Sequence, residues 1–183
     1  DKIIIGGGMA YTFIKAQGGG VGKSLIEKEK LSAAKKIIAE AQEKNVSLVL
    51  PVDSVNSLEF KDSSPSCVSD IFNIPENCMG LDIGPKSISL FTQHIASSKT
   101  ILWNGPMGVF ENKFFESGTK LIAEKLVQMV SADSIVIAGG GDTASALRHF
   151  KLEEKISHVS TGGGSSLELM SGNQLKAINK LEI

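Results

Sequence analysis

Four glycine triplets constrain this chain more than any other feature. They are Gly6–Gly8, Gly18–Gly20, Gly139–Gly141 and Gly162–Gly164, and they hold twelve of the 19 glycines. Glycine loses more backbone entropy on folding than any other residue, so such clusters point to close backbone approach. Three triplets stand at the end of a predicted strand, after Ile5, Ala138 and Thr161, and each precedes a helical pattern. In an open parallel sheet, ligands bind beyond the carboxyl ends of the strands. A glycine turn there lets anionic oxygens reach unpaired N–H groups at the positive end of a helix. A single junction of this kind is as readily a tight connection. Three in one sheet point to a phosphorylated ligand.

The order of elements supports that sheet. Residues 2–5 read as a short buried strand, and residues 9–16 have helical spacing. Residues 25–44 predict a strong amphipathic helix, with Leu31, Ala34, Ile37, Ile38 and Ala41 on one stripe. "SLVLPVD", residues 47–53, is a strand running into a loop. Residues 54–84 are rich in Ser, Asp, Asn and Pro, and predict irregular structure with a short strand pair. Residues 85–98 form a helix with Pro85 at its first turn. Strands then fall at "KTILWNG", "SIVIAGGG" and "SHVSTGGG", and helices over 114–130, 142–150 and from 165. Alternating strand and helix, with apolar strands lacking alternation, predict an α/β fold. Its form is a three-layer Rossmann-like parallel sheet with helices on both faces. The 183 residues, 42% hydrophobic, suit one domain spanning 1–183. The start at Asp1-Lys2, without Met or lead-in, reads as a piece of a longer protein, with a processed or engineered start as the alternative.

Several classes are excluded by composition. The formal net charge is −1, from 19 basic and 20 acidic side chains. That is no nucleic-acid-binding balance, and no polybasic run suggests a membrane surface. No apolar run reaches the roughly 18 residues of a membrane helix, and no signal peptide is visible. Cys67 and Cys78 have no metal spacing and form no disulfide framework. They read as reduced thiols of a cytoplasmic protein.

"GGGDTA", residues 139–144, also matches the dinucleotide fingerprint. Against a nicotinamide or flavin, Asp142 lies where the pyrophosphate would sit. No acid follows at the ribose distance, and Asp53 is too far from the first glycines. Asp142 is either a helix N-cap or a Mg²⁺ ligand beside phosphates, where the metal turns repulsion into attraction. Glu111 is a surface glutamate or a ribose-binding acid. "AQGGGVGKSL" looks like a P-loop, but the first glycine of that pattern falls at Gln17. It follows a helix rather than a strand, so Gly18–Gly20 is a helix stop and connector. His158 and Ser160 share a strand face, but nothing supplies a base, and His94 and His149 sit on helix surfaces.

Seven blocks together carry a resemblance over nearly the whole chain. They are "IIIGGGMAYTFIKA", "GKSL", "LPVD", "MGLDIGP", "WNGPMGVFE", "IAGGGDTA" and "SHVSTGGGSSLEL". In this order and at these intervals they resemble phosphoglycerate kinase, specifically its carboxyl-terminal, nucleotide-binding domain. The resemblance implies reversible phosphoryl transfer, with Mg²⁺, from 1,3-bisphosphoglycerate to ADP, giving 3-phosphoglycerate and ATP. It places Gly7, Gly8, Leu25, Gly80, Leu81, Gly108 and Val109 at the adenine, and Asn104 and Pro106 near the nucleotide. It makes Glu111 the ribose acid, Asp142 the metal ligand, and Gly140, Gly141 and Thr143 the phosphate-proximal helix start. Gly141, Gly163 and Gly164 become backbone contacts to the transferring group. The family's Gly-Gly-Ala-Lys turn and its amino-terminal substrate domain lie outside these residues. The expectation is a chain that binds Mg-ADP or Mg-ATP without turnover. An NAD-dependent oxidoreductase domain and a non-catalytic nucleotide-binding module are the alternatives.

Overall fold

The computed structural model describes residues 1–60 and 64–172. They pack into two compact units. The first comprises Asp1–Ser97 and Pro106–Lys125; the second comprises Ser98–Gly105 and the described residues from Leu126 onward.

In the first unit, β1 (Lys2–Ile4) pairs parallel with β3 (Ser47–Val49), with Ile3 opposite Leu48. Among the described residues β1 has no other strand neighbour. Ile3 is therefore 47% exposed, so β1 is not the buried strand that its apolar run suggests; the burial falls on Ile5. The chain then enters α1 (Gly7–Ala16), whose residues from Ala10 to Ile14 are all buried. One side of α1, with Tyr11 and Ile14, packs with Val21, Ile71, Ile74 and Cys78. The other, with Ala10, Phe13 and Ala16, packs with Ile5 and Ala34. Two cores meeting on one helix explain why it is apolar nearly all round.

α1 stops at the second glycine triplet, as its sequence predicts. Gly18 N–H donates to Lys15 O at 3.0 Å and Gly19 N–H to Ile14 O at 3.0 Å. Gly18 has φ +91°, so this is a Schellman cap that a β-carbon would strain. Gly20 then opens the two-residue strand β2 (Gly20–Val21), parallel to β6 (Asn73–Ile74).

The helix predicted over 25–44 begins later. Residues 28–30 form one 3-10 turn, and α2 is Leu31–Glu43. Leu25 and Ile26 precede it, and the Glu27 N–H is held by the Thr12 hydroxyl at 3.1 Å. The buried stripe of α2 is Ala34 and Ala41, with Leu31 and Ile38 half-buried. Ile37 is 43% exposed, because a helix lying on one neighbour covers a narrower arc than its apolar pattern spans.

Residues 54–84 are more ordered than their polar composition suggests. β4 (Asp53–Ser57) is the centre of an antiparallel sheet between β5 (Cys67–Asp70) and β7 (Met79–Ile83). A bulge falls between Val55 and Asn56. Polar side chains of β4 are hydrogen-bonded inside: Asn56 Nδ2 donates to Ser69 Oγ at 2.9 Å, with Asn56 Oδ1 buried without a partner, and Ser54 meets the Tyr11 hydroxyl. Here hydrogen bonding replaces the hydrophobic pattern on which strand prediction depends.

Asp53 joins this sheet to α3 (Pro85–Ala96). Its carboxylate accepts the Lys86 N–H at 2.9 Å and the Ser87 N–H at 2.8 Å. The Ser87 hydroxyl in turn accepts the Val52 and Asp53 N–H groups at 2.8 and 3.0 Å. Gly84 at the N-cap has no side chain, so a residue 33 positions away in sequence caps the helix. This engagement removes Asp53 as a ribose acid.

In the second unit, β8 (Thr100–Asn104), β9 (Ile135–Gly139) and β10 (His158–Ser160) form a parallel sheet in the order β10-β9-β8. Its core includes the buried Val136, Ala138, Ala144, Ala146 and Leu147. Helices α5 (Gly141–His149) and α6 (Gly163–Met170) begin within two or three residues of the ends of β9 and β10. The helix α4 (Ser117–Ser131) starts three residues later than its sequence pattern, after a turn at Asn112–Phe115. All three strand–glycine–helix junctions predicted from the triplets are thus present, but not in one sheet as expected: β1 pairs with β3, while β9 and β10 belong to the three-stranded sheet. Among the described residues no helix is long and apolar enough to cross a membrane.

Candidate functional site

The first unit contains a cleft of about 410 Å³. That lies within the roughly 300–1,000 Å³ of small-molecule sites. Eight residues named from the sequence line it: Gly7, Gly8, Leu25, Gly80, Leu81, Pro106, Gly108 and Val109. Tyr11, Lys23, Phe60, Met79 and Met107 complete it.

Each wall has a local cause. α1 starts at Gly7, where φ is +60° and a β-carbon would stand 2.6 Å from the Pro106 carbonyl oxygen. The helix start and the loop after β8 therefore touch through backbone. The Gly22-Lys23-Ser24 segment fastens the connector to β7. Lys23 N–H donates to Cys78 O at 2.7 Å, and Gly80 N–H donates to Ser24 Oγ at 2.9 Å. A β-carbon at Gly22 would lie 2.3 Å from Cys78 O. This stitch holds Leu25 at the cleft with 75% of its surface exposed. An apolar side chain so exposed beside a cleft is suited to meeting a flat ligand.

Deeper in, the Tyr11 hydroxyl lies 3.1 Å from Ser54 Oγ. Burial pushes this phenol up to about 12, so it stays neutral in the working pH range. A β-carbon at Gly80 would come 2.2 Å from that hydroxyl, so position 80 must stay bare. Burial likewise raises the Cys78 thiol, which keeps it protonated and unreactive. Both cysteines are free.

The Pro106–Val109 wall is tied at both ends. Met107 and Gly108 N–H groups donate to Thr119 Oγ1 at 3.0 and 3.2 Å. Val109 N–H donates to Leu81 O at 2.9 Å. Beside it, Asp82 is 1% exposed. Its carboxylate accepts the Gly118 N–H at 2.7 Å and its own neighbour's, Ile83, at 2.9 Å. Burial pushes the carboxyl up to about 7, and the two N–H groups only partly oppose it. Glu111 follows this wall as an exposed side chain outside the cleft lining.

The second unit holds the remaining predicted residues. Gly140, the N-cap of α5, has φ +98° and no side-chain cap. Ala144 N–H makes the first helical bond, to Gly140 O, at 3.0 Å. The N–H groups of Gly141, Asp142 and Thr143 precede it and so have no intrahelical partner. Thr143 is buried, and its Oγ1 accepts the Gly105 N–H at 2.7 Å, latching the end of β8 to α5. A β-carbon on Gly163 would lie 2.6 Å from the Gly140 Cα, and one on Gly140 would lie 3.3 Å from Asn104 Oδ1. Asn104, Gly140 and Gly163 thus crowd together at the ends of the three parallel strands. Gly141 and Gly164 have open space around them.

Asp142 is exposed in the first turn of α5 and does not cap the helix. No group of three His, Cys, Asp or Glu among the described residues could hold a metal. A single hard carboxylate suits Mg²⁺, which keeps several waters and usually binds one or two carboxylates together with substrate phosphates. The donor set fits that ion and not a cage built from protein alone.

Sequence reading did not single out Tyr11, Phe60, Met79, Met107 or Asp82. Tyr11 and Met107 look like ordinary core residues, and Phe60 lies in a polar stretch. Asp82 did leave a signal: an acid within an apolar strand, "MGLDIGP".

Parallel strands that end in glycine turns, with a small-molecule cleft beside the first, define a Rossmann-like α/β protein. The family model described as phosphoglycerate kinase matches residues 1–173. The chain belongs to the phosphoglycerate kinase family. A phosphoglycerate kinase of Elusimicrobium minutum is 49% identical over 182 residues, which are 99% of this chain and 46% of that protein. One from Clostridium perfringens is 50% identical over 181 residues, 99% of this chain and 45% of that protein. The solved phosphoglycerate kinase of Coxiella burnetii superposes with a TM-score of 0.88 at 42% identity, over 94% of this chain and 44% of that one. The chain thus spans somewhat less than half the length of the relatives it matches.

Proposed function

We propose that this chain is the nucleotide-binding part of a cytoplasmic phosphoglycerate kinase, a glycolytic phosphotransferase. As one nucleotide-binding domain it takes ADP or ATP. The whole enzyme, with an amino-terminal substrate domain, moves a phosphoryl group reversibly between 1,3-bisphosphoglycerate and ADP. The observation that carries the reading is the cleft of the first unit: a lining of glycine backbone and apolar side chains accepts a flat base by burial and shape. Glu111 is assigned to the ribose hydroxyls. In the second unit, the free N–H groups at the start of α5 suit phosphate oxygens.

Phosphoryl transfer needs no side-chain nucleophile, because it depends on positioning and on neutralising charge. The work assigned to these residues is of that kind. Asn104 and Pro106 lie near the nucleotide, and Gly141, Gly163 and Gly164 offer backbone to the transferring group. Mg²⁺, when bound with the nucleotide, would supply charge neutralisation, and Asp142 is the residue that would hold it. Asp53 is spent on capping α3, which leaves the NAD-dependent reading without its ribose acid.

The test is calorimetry of the 183-residue chain with Mg-ADP. Weak binding is expected. A folded sample that gives no heat at about millimolar nucleotide overturns the reading.

A further inference from the structure

The cleft depends on a residue that does not line it. We propose that Asp82 is a positioning residue, which sets the Pro106–Val109 wall of the cleft by clamping the loop after β8 onto β7. The inference rests on the nucleotide reading of that cleft.

Four observations in the first unit converge on this role. First, Asp82 is buried and adjoins two cleft residues, Gly80 and Leu81, on the same strand. Second, its Oδ2 accepts the N–H of Gly118, at the start of α4, over 2.7 Å. The next residue, Thr119, supplies the hydroxyl that holds the Met107 and Gly108 N–H groups. Third, a β-carbon on Gly108 would sit 2.3 Å from Asp82 Oδ1, and one on Gly118 would sit 2.2 Å from it. The carboxylate therefore occupies the space between the wall and the helix start, and both positions are bare because it is there. Fourth, Leu81 O takes the Val109 N–H, so the strand grips the loop just after Gly108, while Thr119 of α4 holds it at Met107 and Gly108.

A buried carboxylate is a costly way to fill space. An apolar side chain would fill it without penalty but could not accept the Gly118 N–H. Directional bonding is what Asp82 adds, and it fixes the height of the Gly108–Val109 backbone above Leu81.

The experiment uses the 183-residue chain with Asp82→Ala, Asp82→Asn and Ile38→Ala. The last lies on α2 away from the cleft and controls for lost stability. Mg-ADP affinity and amide hydrogen exchange at Gly108, Val109 and Gly118 are measured on each. Asp82→Ala is expected to weaken Mg-ADP by about tenfold or more and to speed exchange at those amides. Asp82→Asn keeps one oxygen for Gly118 and is expected to stay within about threefold. Ile38→Ala should change melting without changing either readout. If Asp82→Ala matches Ile38→Ala in affinity and exchange, the positioning role is wrong. If Asp82→Asn fails as badly as Asp82→Ala, the directional bond is not what matters and the proposal falls. If the unsubstituted chain binds no Mg-ADP, the nucleotide reading fails and takes this role with it. Wild-type binding with unaltered variants would remove the role of Asp82 alone.

Discussion

Asp82 illustrates how much a single buried group can govern. Its carboxyl is raised to about 7 by burial, far above the ordinary 3.8. The folded chain therefore holds this proton more tightly than the unfolded chain between those values. Stability from this group is fully present below about pH 4 and is lost as pH rises toward about 7. The loss approaches about 4 kcal/mol, at about 1.4 kcal/mol per pH unit. Asp82→Asn removes the titrating group, so its stability relative to wild type should rise between about pH 5 and pH 8. Urea unfolding at both pH values checks this, and a constant difference between the two proteins would contradict it. At the same scale, Asp142 carries a charge that its own helix does not use for capping. Asp142→Asn should reduce the Mg²⁺ dependence of nucleotide binding far more than affinity for the base. Calorimetry with and without Mg²⁺ decides it, and equal wild-type affinity in both conditions would remove the metal role.

At the scale of elements, helix boundaries depend on partners that lie far off in sequence. α3 opens on Gly84-Pro85, a start its sequence predicts, yet its cap comes from Asp53 on β4. Truncating Asp53 to Ala takes the acceptor from the Lys86 and Ser87 N–H groups, while the Ser87 hydroxyl keeps the Asp53 carbonyl oxygen at 3.1 Å. The expected cost is about 2–4 kcal/mol, above an ordinary surface cap. Chemical denaturation should show the loss, and a change under about 0.5 kcal/mol would show that the cap is redundant. α1 shows the opposite case. Its stop was written locally, since Gly18 and Gly19 both close bonds onto the last turn.

Across the whole molecule, charge is the limiting resource. With a net charge of −1, the chain has no general field to attract an anion, so local N–H groups, a single side chain such as Lys23 at the cleft, and a bound cation must do so. Phosphoryl transfer requires more neutralisation than that. The chain alone should therefore bind nucleotide and show no turnover of 1,3-bisphosphoglycerate. A coupled assay on the purified chain tests this, and turnover near that of a complete enzyme would refute it.

Local rules were enough to read the strand–glycine–helix junctions, the Schellman stop and the strand order along the chain. Each depends on neighbours in sequence: an apolar run, a bare glycine, a helical period. The seven blocks were equally legible, and with them the family. What the amino-acid order could not convey was pairing at long range. Residues 54–84 looked irregular because their strands are stabilised by buried polar bonds, which leave no periodic trace. The resemblance puts Leu25 at the base while its own pattern reads as a helix start, and the stitch from Ser24 to Gly80 is what holds it at the cleft. The spacing before "GKSL" already ruled out a phosphate loop, but only tertiary contacts show that it braces an apolar wall. Sequence by itself determined the α/β plan and its glycine turns, because backbone conformation and hydrophobic period are local properties. Only the tertiary structure decided that Asp53 caps α3 and Asp82 braces the cleft. A buried carboxylate takes its role from the N–H groups that converge on it, and those come from parts of the chain far apart in sequence.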